Sequence, residues 1–113
     1  MWRWVLLLVL LAACSKDPDA DLQYIKQARS VAAEWALVNE QAAKGKLTSR
    51  YVGSMHQWAR QQIQTAATGL TQSDSAYGRT IRTLLAQPDD AAPEELRAQA
   101  GKLKTIEDSL ESA

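Results

Sequence analysis

The sequence predicts an all-α protein, a small antiparallel bundle of three to four helices that follows an N-terminal signal segment. Apolar residues recur at three- and four-residue steps through most of the chain, which is the period of one helix face. Pro18, Gly45 and Pro93 stand where helices would begin or end. Valine and isoleucine are scattered at helical spacing and never alternate with polar residues as they would in a half-buried strand.

The first predicted helix covers residues 17–44. Asp17 can cap it, and Pro18 suits the first helical position because an N–H there would have no intrahelical partner. Gly45 follows Lys44, as is typical of a left-handed C-terminal cap. The apolar face of this helix is formed by Leu22, Ile25, Ala28, Val31, Ala32, Trp35, Val38 and Ala42.

The second predicted helix covers residues 48–69, with Thr48 as its cap. The short turn through Gly45 predicts that the two helices pack as an antiparallel hairpin. Counting outward from the turn places Trp35 beside Trp58, and we expect these indoles to form the largest buried contact. The apolar face of this helix comprises Tyr51, Val52, Met55, Trp58, Ala59, Ile63 and Ala66.

Two shorter helices are predicted at residues 73–87 and 93–112. Ser73 and Asp74 can begin the third, and Pro88 disfavours helix in the residue before it. Pro93 opens the fourth, with acidic residues near its positive end. An up-down-up-down order would return the C-terminus to the end where Asp17 lies. The inward positions would be Tyr77, Ile81, Leu84, Leu85, Leu96, Ala100, Leu103, Ile106 and Leu110.

The N-terminal stretch Met1–Cys14 has one positive charge, Arg3, and an unbroken apolar run over residues 5–11. This run is about half the ~20 apolar residues that a membrane span needs, but it fits the hydrophobic region of a signal peptide. Leu11-Ala12-Ala13-Cys14 resembles the lipobox of bacterial lipoproteins. The resemblance implies cleavage before Cys14, lipid attachment to its sulfur and acylation of the new amino terminus.

The chain is therefore interpreted as a signal peptide at residues 1–13, a lipidated tether at 14–16 and a bundle domain at 17–113. Cys14 is the only cysteine, so no internal disulfide can form, and lipidation would explain a lone exported thiol. The resemblance implies anchoring in a bacterial envelope, facing the periplasm. Ser15, by the sorting rule of enteric relatives, favours the outer over the inner membrane.

Composition limits the partners of the protein. Thirteen basic residues balance 13 acidic ones, which argues against nucleic acid, because its recognition needs a net basic face. Membrane attachment would be covalent, through lipid on Cys14. Phenylalanine is absent, and an alanine-rich core buries little area, so we expect a thin core.

Few residues qualify as chemical candidates. His56 has no second histidine or free thiol to join it in a metal site or a nucleophile–base pair, and we expect it beside Ala36 and Leu37 at the edge of the apolar face. Glu34 is predicted to form an ion pair with Arg60. The sequence therefore predicts no catalytic residue, metal site or cofactor.

Two charged clusters remain as interaction candidates. Lys44, Lys46 and Arg50 gather at the first turn, where they could solvate the turn or contact an acidic partner. At the anchored end, acidic residues could repel anionic headgroups and lift the body from the membrane. They are Asp17, Asp19, Asp21, Glu107, Asp108 and Glu111.

We therefore expect a membrane-anchored lipoprotein, not an enzyme, whose helical domain serves binding or structure. Its partner would be an envelope protein or a cell-wall polymer. One alternative is a periplasmic inhibitor or enzyme that uses an interhelical groove. Another is an accessory subunit of an envelope complex, with an exposed apolar strip along Leu84, Leu85 and Leu96.

Overall fold

A computed structural model of the protein describes residues 18–112, so the predicted signal peptide, Cys14 and the cap Asp17 lie outside the described residues. The described part has four helices and no strand, which confirms the predicted all-α bundle. The helices are α1 (Pro18–Ala43), α2 (Ser49–Gly69), α3 (Ala76–Leu85) and α4 (Pro93–Glu111).

The four helices form two layers. α1 packs chiefly against α4 and α2, whereas α3 packs against α4 and α2 and barely touches α1. Lys26 pairs with Glu111 at 3.3 Å, Arg29 Nε pairs with Glu107 at 2.7 Å, and Arg97 pairs with Glu40. These pairs keep one antiparallel register between α1 and α4. The chain therefore ends beside the start of α1, as expected.

The first turn follows its sequence signals. Gly45 has φ +71°, a left-handed conformation that glycine adopts without a Cβ penalty. Its N–H donates to the Ala42 carbonyl (3.0 Å), and the Lys46 N–H donates to the Gln41 carbonyl (3.1 Å), which is a Schellman motif. Thr48 caps α2 by accepting a hydrogen bond from the Tyr51 N–H at 3.2 Å.

The predicted start of the third helix at Ser73 is wrong. Ser75 is the cap, and its hydroxyl accepts from the Gly78 N–H at 3.1 Å. A Cβ at Gly78 would collide with the Ser73 carbonyl, so only glycine allows this close approach. Residues 73–74 form a turn instead, because the two residues before them are bound to Asp21 of α1.

Asp21 is fully buried at the first turn of α1 and accepts four hydrogen bonds. Thr71 donates its N–H (2.8 Å) and its hydroxyl (2.9 Å), Gln72 donates its N–H (3.1 Å), and Tyr77 donates its hydroxyl (2.6 Å). Burial acts to raise the pKa of Asp21, but these donors outweigh it, and the pKa lies below its ordinary value. Burial and the Asp21 carboxylate raise the pKa of Tyr77 to about 12.

The core follows the predicted helix faces except on α2. Trp35 is 1 % exposed, whereas Trp58 is 37 % exposed, so the predicted buried pair of indoles is wrong. α2 is rotated so that Ala59, Ile63 and Ala66 face inward and join the core. The guanidinium of Arg60 lies over the Trp35 ring instead, 5.5 Å from its centroid.

The apolar strip expected for an accessory subunit is also absent. Leu84 and Leu96 are fully buried and Leu85 is half-buried, because α3 and α4 pack their apolar faces together. Among the described residues, the large apolar side chains that remain exposed are Leu37, Tyr51 and Trp58. Tyr51 and Trp58 lie two turns apart on one face of α2.

The two tryptophans should differ sharply in their contribution to stability. Trp35→Ala is expected to lower the free energy of unfolding by about 3–5 kcal/mol because it leaves a core cavity. Trp58→Ala should cost about 1 kcal/mol or less, since the side chain stays partly in water. Urea denaturation of both variants tests this, and equal losses would contradict the described rotation of α2.

Replacing Asp21 tests the buried carboxylate. Asp21→Asn should lower the free energy of unfolding at pH 7 by about 2–4 kcal/mol, and Tyr77→Phe by about 1–2 kcal/mol. Folding lowers the pKa of Asp21. The stability that Asp21 contributes to the fold is therefore complete above about pH 3.9, the pKa of this carboxyl in the unfolded chain. It is lost as pH falls through the lower pKa that Asp21 has in the folded protein. Urea denaturation at a series of pH values should show that the free energy of unfolding falls more steeply with acid in the wild type than in Asp21→Asn. Parallel pH profiles of the two proteins would refute this role of Asp21.

Candidate functional site

The residues that the sequence singles out as candidate sites differ in their location and exposure in the structure. Cys14, the predicted lipidation site, lies outside the described residues. Lys44, Lys46 and Arg50 are all exposed at the first turn, and Lys44 pairs with Glu40 at 3.5 Å. Because α1 has 26 residues, this turn stands roughly 39 Å from Pro18 at 1.5 Å per residue.

The acidic cluster at the other end is less exposed than the sequence implies. Asp21 and Glu107 are buried. Burial acts to raise the pKa of Glu107, but Arg29 and Lys104 donate to its carboxylate and hold its pKa below the ordinary value. Asp108 pairs with Lys104 at 3.0 Å, and Glu111 pairs with Lys26. The three acidic residues of α4 in this cluster are therefore paired with basic residues of α1 and α4.

His56 is half-buried, as expected for an edge position, but its partner is Asn39. Asn39 donates its amide N–H groups to the carbonyls of Asp89 (3.0 Å) and Ala91 (2.8 Å). Its Oδ1 must therefore accept the proton of His56 Nε2, 2.7 Å away. This arrangement leaves Nδ1 of a neutral His56 as a hydrogen-bond acceptor.

The loop between α3 and α4 is bound to α1 and α2. Arg60 pairs with Asp89 at 2.5 Å and donates to the carbonyls of Leu85 and Gln87. The predicted Glu34–Arg60 ion pair is therefore wrong, because the loop brings Asp89 to the guanidinium. The indole N–H of Trp35 donates to the Asp89 carbonyl at 2.9 Å. Together these bonds fix the path of the chain between the last two helices.

A cleft of about 250 Å³ lies where this loop meets the first hairpin. It has a mostly apolar lining, to which His56, Asn39 and Asp90 contribute polar groups. The full set of lining residues is Asn39, Ala42, Ala43, Val52, His56, Asp90, Ala91 and Pro93. The cleft thus combines one imidazole and one carboxylate with a small apolar surface.

Charge is separated between the two layers of the bundle. α2 and α3 carry four arginines and no acidic residue, whereas α1 and α4 carry nine acidic and five basic residues. The protein therefore has a basic face on α2 and α3 although its total charge is balanced. The arginines on α2 and α3 are Arg50, Arg60, Arg79 and Arg82.

Two adjoining depressions of about 680 and 250 Å³ share Gln64 and Leu85. The larger lies along α2 and meets α3 at Leu85, and the smaller lies between α2 and α3. We call them together the α2–α3 groove. Their lining contains no carboxylate and no aromatic ring. The lining residues are Arg60, Gln61, Gln62, Gln64, Thr65, Ala67, Thr68, Leu70, Ser73, Gly78, Arg82 and Leu85.

Residues 18–112 offer neither a metal-binding cluster nor a membrane-spanning helix. No group of three or more histidine, cysteine, aspartate or glutamate side chains there is arranged to hold a metal ion. No helix in this range combines the length and apolar character that crossing a membrane requires.

No family model matches the chain, no curated protein is similar to it, and no solved structure matches its fold.

The tautomer of His56 is a test of the Asn39 contact. Neutral His56 should carry its proton on Nε2, because both amide protons of Asn39 are committed to carbonyls. Long-range ¹H–¹⁵N correlation spectra of the imidazole distinguish the two tautomers. In Asn39→Ala the preference should disappear, and the free energy of unfolding should fall by about 1–3 kcal/mol. An Nδ1-protonated ring in the wild type would refute this assignment.

Proposed function

We propose that the protein is a lipid-anchored lipoprotein of a bacterial cell envelope, whose helical bundle acts by binding rather than by catalysis. The observation that carries the anchoring is Leu11-Ala12-Ala13-Cys14 directly after an apolar run. Cys14 is four residues from Pro18, where α1 begins, a span of at most about 14 Å in an extended chain. The bundle would therefore be held close to the membrane, and Ser15 favours the outer one.

The α2–α3 groove supports the binding role. Its titratable lining residues are Arg60 and Arg82, and a guanidinium stays protonated at physiological pH. Such groups cannot accept a proton in general base catalysis, but they recognise anions through paired N–H donors. The remaining polar lining consists of amides and hydroxyls, which suit hydrogen bonding to a ligand.

The cleft beside His56 supports the alternative of an enzyme or inhibitor that uses an interhelical site. His56 Nδ1 is an acceptor in the neutral ring, and Asp90 lines the same cleft. A proton-transfer role would require a substrate within hydrogen-bond reach of this nitrogen. The two functions differ in the residue they need: binding in the groove depends on Arg82, whereas chemistry in the cleft depends on His56.

An accessory subunit remains the third alternative, now with a different surface. Tyr51 is 49 % exposed, and Trp58 shares its face of α2. Aromatic residues are enriched at protein interfaces. Loss of complex assembly in a Tyr51→Ala/Trp58→Ala variant would favour this role.

Cys14→Ser tests the anchor. Cells grown with labelled palmitate should incorporate label into the wild-type protein and not into Cys14→Ser, and the variant should leave the membrane fraction, because several acyl chains are needed for stable anchoring. Ser15→Ala is the matched control and should keep both the label and the membrane association. The proposal would be refuted if Cys14→Ser remained in the membrane fraction without incorporating the palmitate label.

A further inference from the structure

We propose that the α2–α3 groove binds an extended acidic segment of a partner protein. The inference deepens the proposed function, on which it rests only in placing the partner in the envelope. It is carried by three properties of the groove, namely the unpaired charge of Arg82, apolar surface beside polar side chains, and the absence of carboxylates and aromatic rings from its lining.

The fold leaves the positive charge of Arg82, at one end of the groove, without an acidic partner in residues 18–112. Arg82 donates to the Ser73 carbonyl at 2.6 Å, and Arg79, one turn away, donates to the Asp74 carbonyl at 2.9 Å. Neither arginine belongs to any of the ion pairs among the described residues. Both side chains are exposed, so each keeps further N–H donors in a fork that matches a carboxylate.

Arg60 has a different role at one end of the groove. Its guanidinium is occupied by Asp89 and by the carbonyls of Leu85 and Gln87. It therefore bounds the groove and holds the α3–α4 loop in place. Arg82, beside Ser73 and Gly78 at the other end, is the lining residue expected to attract an anionic ligand.

The lining and the length of the groove suit a polypeptide. Ala67, Leu70 and Leu85 provide apolar surface, while Gln64 and Thr68 lie along the α2 wall. Gln64 Nε2 donates to the Thr68 hydroxyl at 3.3 Å, which orients the amide and leaves its oxygen as an acceptor for a peptide N–H. α3 has 10 residues, roughly 15 Å, a length that about five residues of an extended chain would span.

Two other anionic partners fit the groove less well. Single-stranded nucleic acid is bound through bases stacked on aromatic side chains, and the groove lining has none. An anionic membrane surface would contact the outermost arginines without needing a groove between helices. An acidic peptide uses the charge, the apolar floor and the amide wall together.

Fluorescence anisotropy tests the proposal with the full chain purified in a neutral detergent, both as wild type and as Cys14→Ser. The probe is a fluorescein-labelled peptide that alternates glutamate and threonine, and its counterpart has lysine in place of each glutamate. We expect the glutamate peptide to bind, the lysine peptide not to bind, and affinity to fall as salt is raised, because exposed charges are screened.

Two substitutions locate the site. Arg82→Gln should weaken binding at least about fivefold because it removes a charge-assisted contact, while Lys102→Gln removes an equal charge from the exposed surface of α4 and should leave affinity unchanged. Thr68→Trp should block the groove without changing charge, and Thr105→Trp on α4 is its control. Circular dichroism melting confirms that each variant is folded.

Several results would overturn the inference. These are absence of glutamate-peptide binding, equal binding of both peptides, or binding that Arg82→Gln and Thr68→Trp leave unchanged. Arg82-dependent binding to phosphatidylglycerol vesicles without peptide binding would assign the face to the membrane instead. Peptide binding to the groove does not depend on lipid at Cys14. A negative binding result would therefore overturn the groove proposal alone, whereas a negative palmitate-labelling result would overturn the lipoprotein proposal alone.

Discussion

The arrangement of the bundle depends on the buried carboxylate of Asp21. A buried carboxylate is costly unless donors satisfy it, and here Thr71, Gln72 and Tyr77 supply four hydrogen bonds. Those donors belong to the α2–α3 connection and to the first turn of α3, so one side chain of α1 fixes where α2 ends and where α3 begins. α3 has only 10 residues, too few to be stable alone, and it depends on this contact for its position.

The other end of α3 is held by a second set of long-range bonds. Arg60 binds the Asp89 carboxylate of the α3–α4 loop, and Trp35 and Asn39 donate to the Asp89 carbonyl, with Asn39 also donating to the Ala91 carbonyl. With both ends fixed, α3 lies against α2, and α4 returns along α1. This order brings together α2 and α3, whose only charged residues are arginines apart from His56, and brings together α1 and α4, in which acidic residues outnumber basic ones. The basic face and its groove thus result from polar contacts that fix both ends of α3.

The sequence predicted much of the fold and little of the surface that the fold presents. Helix ends at Gly45, Thr48 and Pro93 follow from local backbone chemistry, and their positions were predicted within a residue. Trp58 was assigned to the core because helical spacing alone cannot tell the centre of an apolar face from its edge. The rotation of α2 depends on packing against its neighbours, and smaller side chains occupy the centre of the face.

The amino-acid sequence by itself determined the all-α class, a bundle of three to four helices, the antiparallel hairpin and the lipobox resemblance at Cys14, because each rests on neighbouring residues. Only the tertiary structure decided which side chains meet across the bundle. Asp21 and Tyr77 are 56 residues apart, Arg60 and Asp89 are 29 apart, and Asn39 and His56 are 17 apart. Such contacts depend on how each helix is rotated and how far each loop reaches, and local spacing specifies neither.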